Sequence, residues 1–305
     1  MIESNDKPLV SIIVTTKNEE RNIVDCLSSI RSQNYPRIEV IVVDNASSDN
    51  TKALAKDLAD LVVDMGPERS RQRNYGICEL ASGFYAMFVD ADMVLTGQLV
   101  DECVNMITSS GAVAIHIEEK ILGKGLLAKI RRFERSFYSG TVIDGVRFFS
   151  RDSFCQLGGF DEMLPPGPED WDLDKRYRKI GRIELLSTSS INGVWSMEQF
   201  INSKGVIHER SFVGIYHNEN EQNISQYLKK KMYYSPSIHK YIEKWGKKDP
   251  DIIRQTGMLY RYVVVFIEGG RWRRLLSHPL LSIAMLTLRV FVGLVYLAKR
   301  KNKKT

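Results

Sequence analysis

Short apolar runs alternate with amphipathic stretches through the first third of the chain. Val10-Ser11-Ile12-Ile13-Val14 reads as a buried strand, and Ile23, Leu27 and Ile30 then mark one face of a helix. Ile38 to Val43 repeats the strand pattern and is followed by a helix carrying Leu54 and Leu58. Leu61-Val62-Val63, a helix around Arg71 to Leu80, the run Phe84 to Val89 and a helix near Leu99 to Ile107 continue the series, and Ala112 to Ile117 adds a strand. Alternation of this kind predicts an α/β fold, a mostly parallel sheet with helices on both faces.

The order then loosens. Leu126 to Tyr138 has helical spacing, Val146-Arg147-Phe148-Phe149 is a strand, and the rigid loop Leu164-Pro165-Pro166-Gly167-Pro168 leads to a helix over Asp170 to Ile180. Residues 183–220 read as short strands and loops. Beyond Gln226 the chain turns basic and aromatic, and Pro279 to Ala298 is almost wholly apolar. With 305 residues, 43% of them apolar and 26% charged, the chain can bury a full core.

Charge changes the picture of the tail. The net charge is +6, yet Lys229 to Thr305 hold 18 Lys and Arg against 4 Asp and Glu, a surplus of 14. Residues 1–228 keep 25 against 33, a deficit of 8. An acidic body argues against nucleic acid as its ligand, since that binding draws mainly on clustered Lys and Arg. A basic tail with apolar stretches points to an anionic membrane surface.

Pro279 to Ala298 is long enough to span a bilayer, but Arg289 at its centre would be expensive in lipid. Ser282, Arg289, Gly293 and Tyr296 fall near one helical face, which suits a helix lying in the interface or packed on the rest of the protein. Arg271, Trp272, Arg273 and Arg274 before it, and Lys299 to Lys304 after it, would anchor to headgroups. A helix completing the core or a dimer contact is the soluble alternative. The polar, acidic start predicts no signal peptide and hence a cytoplasmic protein, peripheral on the cytoplasmic face of the membrane. Cys26, Cys78, Cys103 and Cys155 stand far apart, so neither a zinc site nor a disulfide framework is expected, in keeping with a reducing compartment.

Candidate chemistry gathers at strand ends. Asp90-Ala91-Asp92 closes the run Phe84 to Val89 and would deliver hard oxygen ligands to the carboxyl edge of the sheet. A solvated turn is the plainer reading of the same residues. Thr15-Thr16-Lys17-Asn18-Glu19 ends the first strand, Asp44 to Thr51 follows the second, and Gly66-Pro67-Glu68-Arg69 with Arg73-Asn74 follows the third. Asp44 could equally form an Asx-turn or an N-cap, and Ser48 or Asp49 could cap the next helix. Glu169-Asp170 opens a helix, where an acidic cap is also favoured.

Val10 to Thr51, Asp90-Ala91-Asp92, Gly158-Gly159-Phe160-Asp161-Glu162 and Glu169-Asp170 together resemble family 2 glycosyltransferases with the GT-A fold, over roughly residues 8–220. The resemblance implies a Rossmann-like catalytic domain over 1–225, with a nucleotide-sugar half at 8–117 and an acceptor half at 118–225. Residues 226–305 would be a basic, amphipathic helical extension that associates with membrane. It implies that Thr15 and Glu19 border the nucleotide, that Asp44 hydrogen-bonds the base, and that Arg69 and Arg73 meet nucleotide or diphosphate charge. Asp92 would ligate Mn2+ or Mg2+ while Asp90 contacts ribose, bound water or the metal, with His217 as a further ligand and His208 as its rival. Asp170 would be the base in an inverting transfer, helped by Glu169, and Trp171 could stack on the acceptor sugar.

The implied donor is a nucleotide diphosphate sugar, UDP-sugar before GDP-sugar, and the implied acceptor a glycan, lipid-linked if the tail meets membrane. A Gln-x-x-Arg-Trp signature is absent from the sequence, which favours transfer of one sugar over polymerisation. The rivals are a nucleotidyltransferase of similar sheet architecture, which would want a Gly-rich phosphate loop after the first strand, and a non-catalytic nucleotide-sugar-binding adaptor.

Overall fold

A computed structural model describes residues 7–187, 212–220, 223–234 and 237–301. His208 lies outside the described residues. In chain order the elements are β1 (Val10–Thr16), α1 (Ile23–Arg31), β2 (Ile38–Asp44), α2 (Thr51–Ala55), β3 (Leu61–Asp64), α3 (Arg69–Asn74), β4 (Tyr85–Asp90), β5 (Met93–Leu95), α4 (Leu99–Ser110), β6 (Ala114–Ile117), β7 (Glu119–Leu122) and α5 (Gly125–Arg135). There follow β8 (Phe148–Ser150), α6 (Arg151–Gln156), α7 (Glu169–Ile180), β9 (Ile183–Leu186), β10 (Ile215–Asn218), α8 (Ile224–Tyr234), α9 (Ser237–Trp245), α10 (Pro250–Thr256), α11 (Val265–Ile267), α12 (Trp272–Ser277) and α13 (Pro279–Lys301). The chain forms two compact units: Met1–Glu119 with Gly145–Glu162 and Asp172–His217, and Lys120–Asp144 with Met163–Trp171 and Asn218–Thr305.

The first unit is built on a seven-stranded sheet in the order β3-β2-β1-β4-β8-β6-β9. Strand β1 lies parallel between β2 and β4, and its alternation sorts the core. Val10, Ile12 and Val14 pack with Ile23, Leu27, Ile30, Leu99 and Cys103 of α1 and α4. Ile13 points the other way, to Ile77, Phe154, Leu173 and Tyr177. Helices therefore cover both faces of a mostly parallel sheet, as the alternation predicts. Strand β8 is the exception, running antiparallel to both β4 and β6.

Two local features depart from expectation. The helix expected over Arg71 to Leu80 stops at Asn74, and Tyr75–Leu80 is a π-helix in which the Ala81 N–H bonds the Gly76 carbonyl at 2.9 Å. Gly76 sits against the sheet, where a Cβ would come within 2.7 Å of Ile13 Cγ2. Second, Cys78 of that π-helix and Cys155 of α6 form a disulfide across Cα atoms 5.7 Å apart, which corrects the expectation of none. The two are 77 residues apart in sequence, so spacing carried no signal, and cysteine usage no longer argues for a reducing compartment. Cys26 and Cys103 are buried and free, as small core residues.

The second unit is mainly helical, with most of strand β7 at its start. Leu164, Tyr241 and Ile252 form its small apolar cluster, with Trp171, Ile242 and Trp245 packed against it. Helix α13 packs on α5 and α8. Its Arg289 is buried: Nη1 donates to Glu134 Oε1 at 2.6 Å, Nη2 donates to the Arg261 carbonyl at 2.6 Å, and the Tyr138 hydroxyl also accepts from Nη1. Arg131 bonds the same Glu134 and reaches Glu219 at 3.1 Å, which makes a buried group of two cations and two anions. Among the described residues no helix is long and apolar enough to cross a membrane.

Candidate active site

Parallel pairing puts the strand ends in register. Thr15 is the partner of Asp90 on β4, and Thr16 is the partner of Asp44 on β2, so the polar residues that close three strands share one edge of the sheet. The Thr15 hydroxyl donates to Asp90 Oδ1 at 3.3 Å. Beyond β2, Asp44 is fully buried and its carboxylate accepts from the Ser47 N–H at 2.6 Å and the Ser47 hydroxyl at 2.5 Å, a cap-like bond three residues on rather than the two-residue Asx-turn. Ala46 in that turn is held at φ +48 and Asn18 at φ +54, both in the left-handed region. Asn18 Oδ1 accepts from the Ser48 N–H at 2.9 Å and so ties the two loops together. The Glu19 N–H donates to the Thr51 hydroxyl at 2.8 Å, and the Glu19 carboxylate accepts from Asn22 at 2.7 Å.

Arg73 sits beneath this edge. It is 1% exposed and donates through Nη2 to Asp90 Oδ1 at 2.8 Å. Its guanidinium lies 4.3 Å from the Phe88 ring centroid and 5.1 Å from that of Phe160. Burial alone would raise the Asp90 carboxyl, but Arg73, then Arg69 and Arg147, outweigh it and hold the group well below the usual carboxylate range. Arg69, half-buried at the start of α3, acts on Asp90 through its charge. Arg147 was not picked out from the sequence. It enters β8 as one Arg before two Phe, a pattern that says only "strand", and becomes relevant because antiparallel β8 brings its beginning to the edge where β4 ends.

Asp92 stands just past β4. Antiparallel pairing of β5 with β10 sets Met93 opposite His217, which brings His217 Nε2 to 3.1 Å from Asp92 Oδ2. Asp92 Oδ1 is buried and has no hydrogen-bond partner. A carboxylate together with phosphate oxygens is the donor set that holds Mn2+ or Mg2+, and an imidazole beside it suits the softer Mn2+ better than Mg2+, so Asp92 fits such a cation and His217 fits Mn2+. Among the described residues no group of three or more His, Cys, Asp or Glu is arranged to hold a metal by itself.

The Gly158 to Glu162 motif is fixed to α3. Asn74 accepts from the Phe160 N–H at 2.7 Å and donates to the Phe160 carbonyl at 2.9 Å and to Glu162 at 2.9 Å. Gly159, at φ +61, leaves no room for a side chain, since a Cβ would meet Asn74 Oδ1 at 2.4 Å. Arg176 of α7 ties the same loop down through the Leu157 and Gly159 carbonyls at 2.7 and 2.6 Å, and it pairs with buried Asp172 at 2.9 Å.

The first turn of α7 belongs to the second unit. Glu169 there is fully buried and accepts from the Gly167 N–H, while Asp170 is only half-buried. The Trp171 indole N–H donates to the Ile143 carbonyl at 3.1 Å, and its ring lies 6.2 Å from that of Tyr241. Of the two acids, Asp170 is the one within reach of solvent.

Residues 11–157 match the model of the family described as Glycosyl transferase family 2. Among curated proteins, a 113-residue stretch is 37% identical to "Glycosyltransferase AglE" of Haloferax volcanii, covering 34% of this chain and 37% of that protein. A stretch of 216 residues is 35% identical to a poly-β-1,6-N-acetyl-D-glucosamine synthase of Staphylococcus epidermidis, covering 61% of this chain and 52% of that one. The chain thus spans between a third and about half of these relatives' length. Among solved structures, a mannosyltransferase of Pyrobaculum calidifontis in complex with GDP-Man and Mn2+ aligns over 96% of this chain and 88% of its own, at 18% identity and a TM-score of 0.58. The S. aureus protein TarS, residues 1–349 with UDP-GlcNAc, aligns over 88% and 75%, at 18% identity and a TM-score of 0.51. At such identities the likeness is one of fold.

Proposed function

Residues 11–157 belong to glycosyl transferase family 2, and on that premise we propose that the chain is an inverting, metal-dependent glycosyltransferase that moves one sugar from a nucleotide diphosphate sugar to an acceptor hydroxyl. The observation that carries this reading is Asp92, whose Oδ1 is buried without a partner while Oδ2 faces His217. Leaving a buried acceptor unsatisfied costs about 1–3 kcal/mol, and a divalent cation is a partner of the right chemistry. Asp92 and His217 would hold Mn2+ or Mg2+, with oxygens of the donor diphosphate completing the set. When bound, the cation supplies positive charge against the charge that builds on the leaving nucleoside diphosphate.

The chain's own residues do the rest. Thr15, Glu19 and Asp44 border the nucleoside, and Asp90, kept anionic by Arg73, Arg69 and Arg147, offers its remaining acceptor capacity to ribose or bound water. Arg69 meets diphosphate charge, and Arg73 serves chiefly by fixing Asp90. Asp170 takes the acceptor proton, Glu169 anchors the turn that presents it, and Trp171 borders the acceptor sugar. Solved neighbours bound to GDP-Man and to UDP-GlcNAc support a nucleotide-sugar donor. Absence of Gln-x-x-Arg-Trp supports a single transfer, and the basic tail supports a lipid-linked glycan acceptor.

The test is Asp92→Ala, assayed for Mn2+-dependent donor binding by calorimetry and for transfer with a panel of acceptors. The expected result is loss of both with an unchanged circular dichroism melt. Unaltered transfer in this variant, or full wild-type activity in excess chelator, would remove the metal from the reading. A wild type that binds donor but turns over with no acceptor, even to hydrolysis, would instead make the chain an adaptor.

A further inference from the structure

Helix α13 presents two chemically different faces. Ser282, Met285, Leu288 and Arg289 are buried, whereas Leu280, Ile283, Leu286, Val290, Phe291 and Leu294 are exposed, Leu280 at 82% and Phe291 at 52%. The exposed set recurs every three to four residues and forms one stripe about 21 Å long at 1.5 Å per residue. A solvent-facing stripe is ordinarily charged or polar. This one carries no charge, and exposed Trp272 and Leu276 on α12 add further apolar surface.

Arg289, the charge within this apolar stretch, is turned away from the stripe and spent on Glu134, Tyr138 and the Arg261 carbonyl. The difficulty that the sequence raised, a cation amid apolar residues, is thus met inside the protein. From Gly269 onward the sequence holds nine Lys and Arg and no Asp or Glu. Before the stripe, Arg271 pairs with Glu268 and donates to the Ser139 carbonyl, Arg274 donates to the Ser136 carbonyl, and Arg273 is exposed. After it the sequence runs on through Lys299, Arg300, Lys301, Lys303 and Lys304.

An uncharged apolar stripe flanked in sequence by cations is complementary to hydrocarbon beneath anionic headgroups. A symmetric pair of chains meeting through the same stripe would bring like-charged clusters together and gain no such complement. We propose that α12 and α13 lie in the plane of an anionic lipid surface, with Leu280, Ile283, Val290, Phe291 and Leu294 entering the acyl boundary and Arg289 on the protein side. The inference goes beyond sugar transfer, and its test reads binding alone.

The experiment is sedimentation of the full chain with phosphatidylcholine vesicles prepared with and without phosphatidylglycerol. Wild type should pellet with the anionic vesicles at least about tenfold better than with neutral ones, and high salt should remove only part of that binding, because charge is screened and apolar burial is not. Ile283→Glu with Phe291→Glu should lower the anionic partition by at least about tenfold. Both side chains are exposed, so the thermal melt should not move. Wild type remaining in the supernatant with anionic vesicles, or a double variant that pellets like wild type, overturns the proposal. So does a wild-type dimer in light scattering that the double variant dissolves in the absence of any vesicle binding, which would assign the stripe to a second copy.

Discussion

Replacing Arg289 by Met should destabilise the helical unit by about 3 kcal/mol, at the low end of the cost of breaking a buried ion pair. The side chains of Arg289 and Glu134 are 8% and 4% exposed and meet at 2.6 Å, so neither finds water when the other is removed. Arg131 still faces Glu134, which keeps the loss near the low end. Met preserves the stem that packs in the helix interface, and the freed Arg261 carbonyl loses its charged donor. Glu134→Gln should cost about 2 kcal/mol, because it keeps an acceptor while removing the charge. The double variant should then be less damaging than the sum of the singles by about 1.5–3 kcal/mol, since the two residues act on one another. Urea unfolding followed by tryptophan fluorescence would measure all three, Trp171 and Trp245 lying in the same unit. A cost under about 1 kcal/mol for Arg289→Met, or singles that add within about 0.5 kcal/mol, would refute the argument that Arg289 is a working partner in the protein interior.

Two further outcomes are expected. Asp170→Asn should keep donor affinity but slow transfer by about a hundredfold or more, the scale of losing a general base, as read by initial rates at saturating donor. Normal turnover would move the role to Glu169 or to an acceptor that is already ionised. Arg73→Met should cost about 2–4 kcal/mol in chemical denaturation, because Asp90 loses its 2.8 Å partner, and should weaken Mn2+-dependent donor binding. Stability within about 0.5 kcal/mol of wild type would show that Arg69 and Arg147 suffice to hold Asp90.

Much of the first unit was legible because buried parallel strands leave continuous apolar runs, and Val10 to Val14, Ile38 to Val43 and Phe84 to Val89 are such runs. Their polar ends were legible for the same reason, since a strand's end is where its apolar run stops. Direction was not. Phe148-Phe149-Ser150 reads alike parallel or antiparallel, so the arrival of Arg147 at the Asp90 edge could not be read from it. Nor could the pairing of Arg73 with Asp90, because a helical Arg looks the same whether it is solvated or seated between Phe88 and Phe160. The Asp92 and His217 neighbourhood depends on the pairing of two short strands 120 residues or more apart, which no local pattern records. In the tail, the apolar run was plain, but only packing decides that Arg289 turns toward Glu134.

The π-helix Tyr75–Leu80 bears on how this protein can change over evolutionary time. Its wide turn spends an extra residue so that Gln72 and Arg73 before it and Ile77 within it can all reach the interior while Cys78 meets Cys155. Deleting one residue here would restore an ordinary helix, but it would rotate the preceding turn by about 100° and swing Arg73 out from between its two rings. Insertions and deletions in this six-residue segment should therefore be purged in descendants of this chain while substitutions at its exposed Glu79 drift freely, so that the segment's length is inherited more faithfully than its letters.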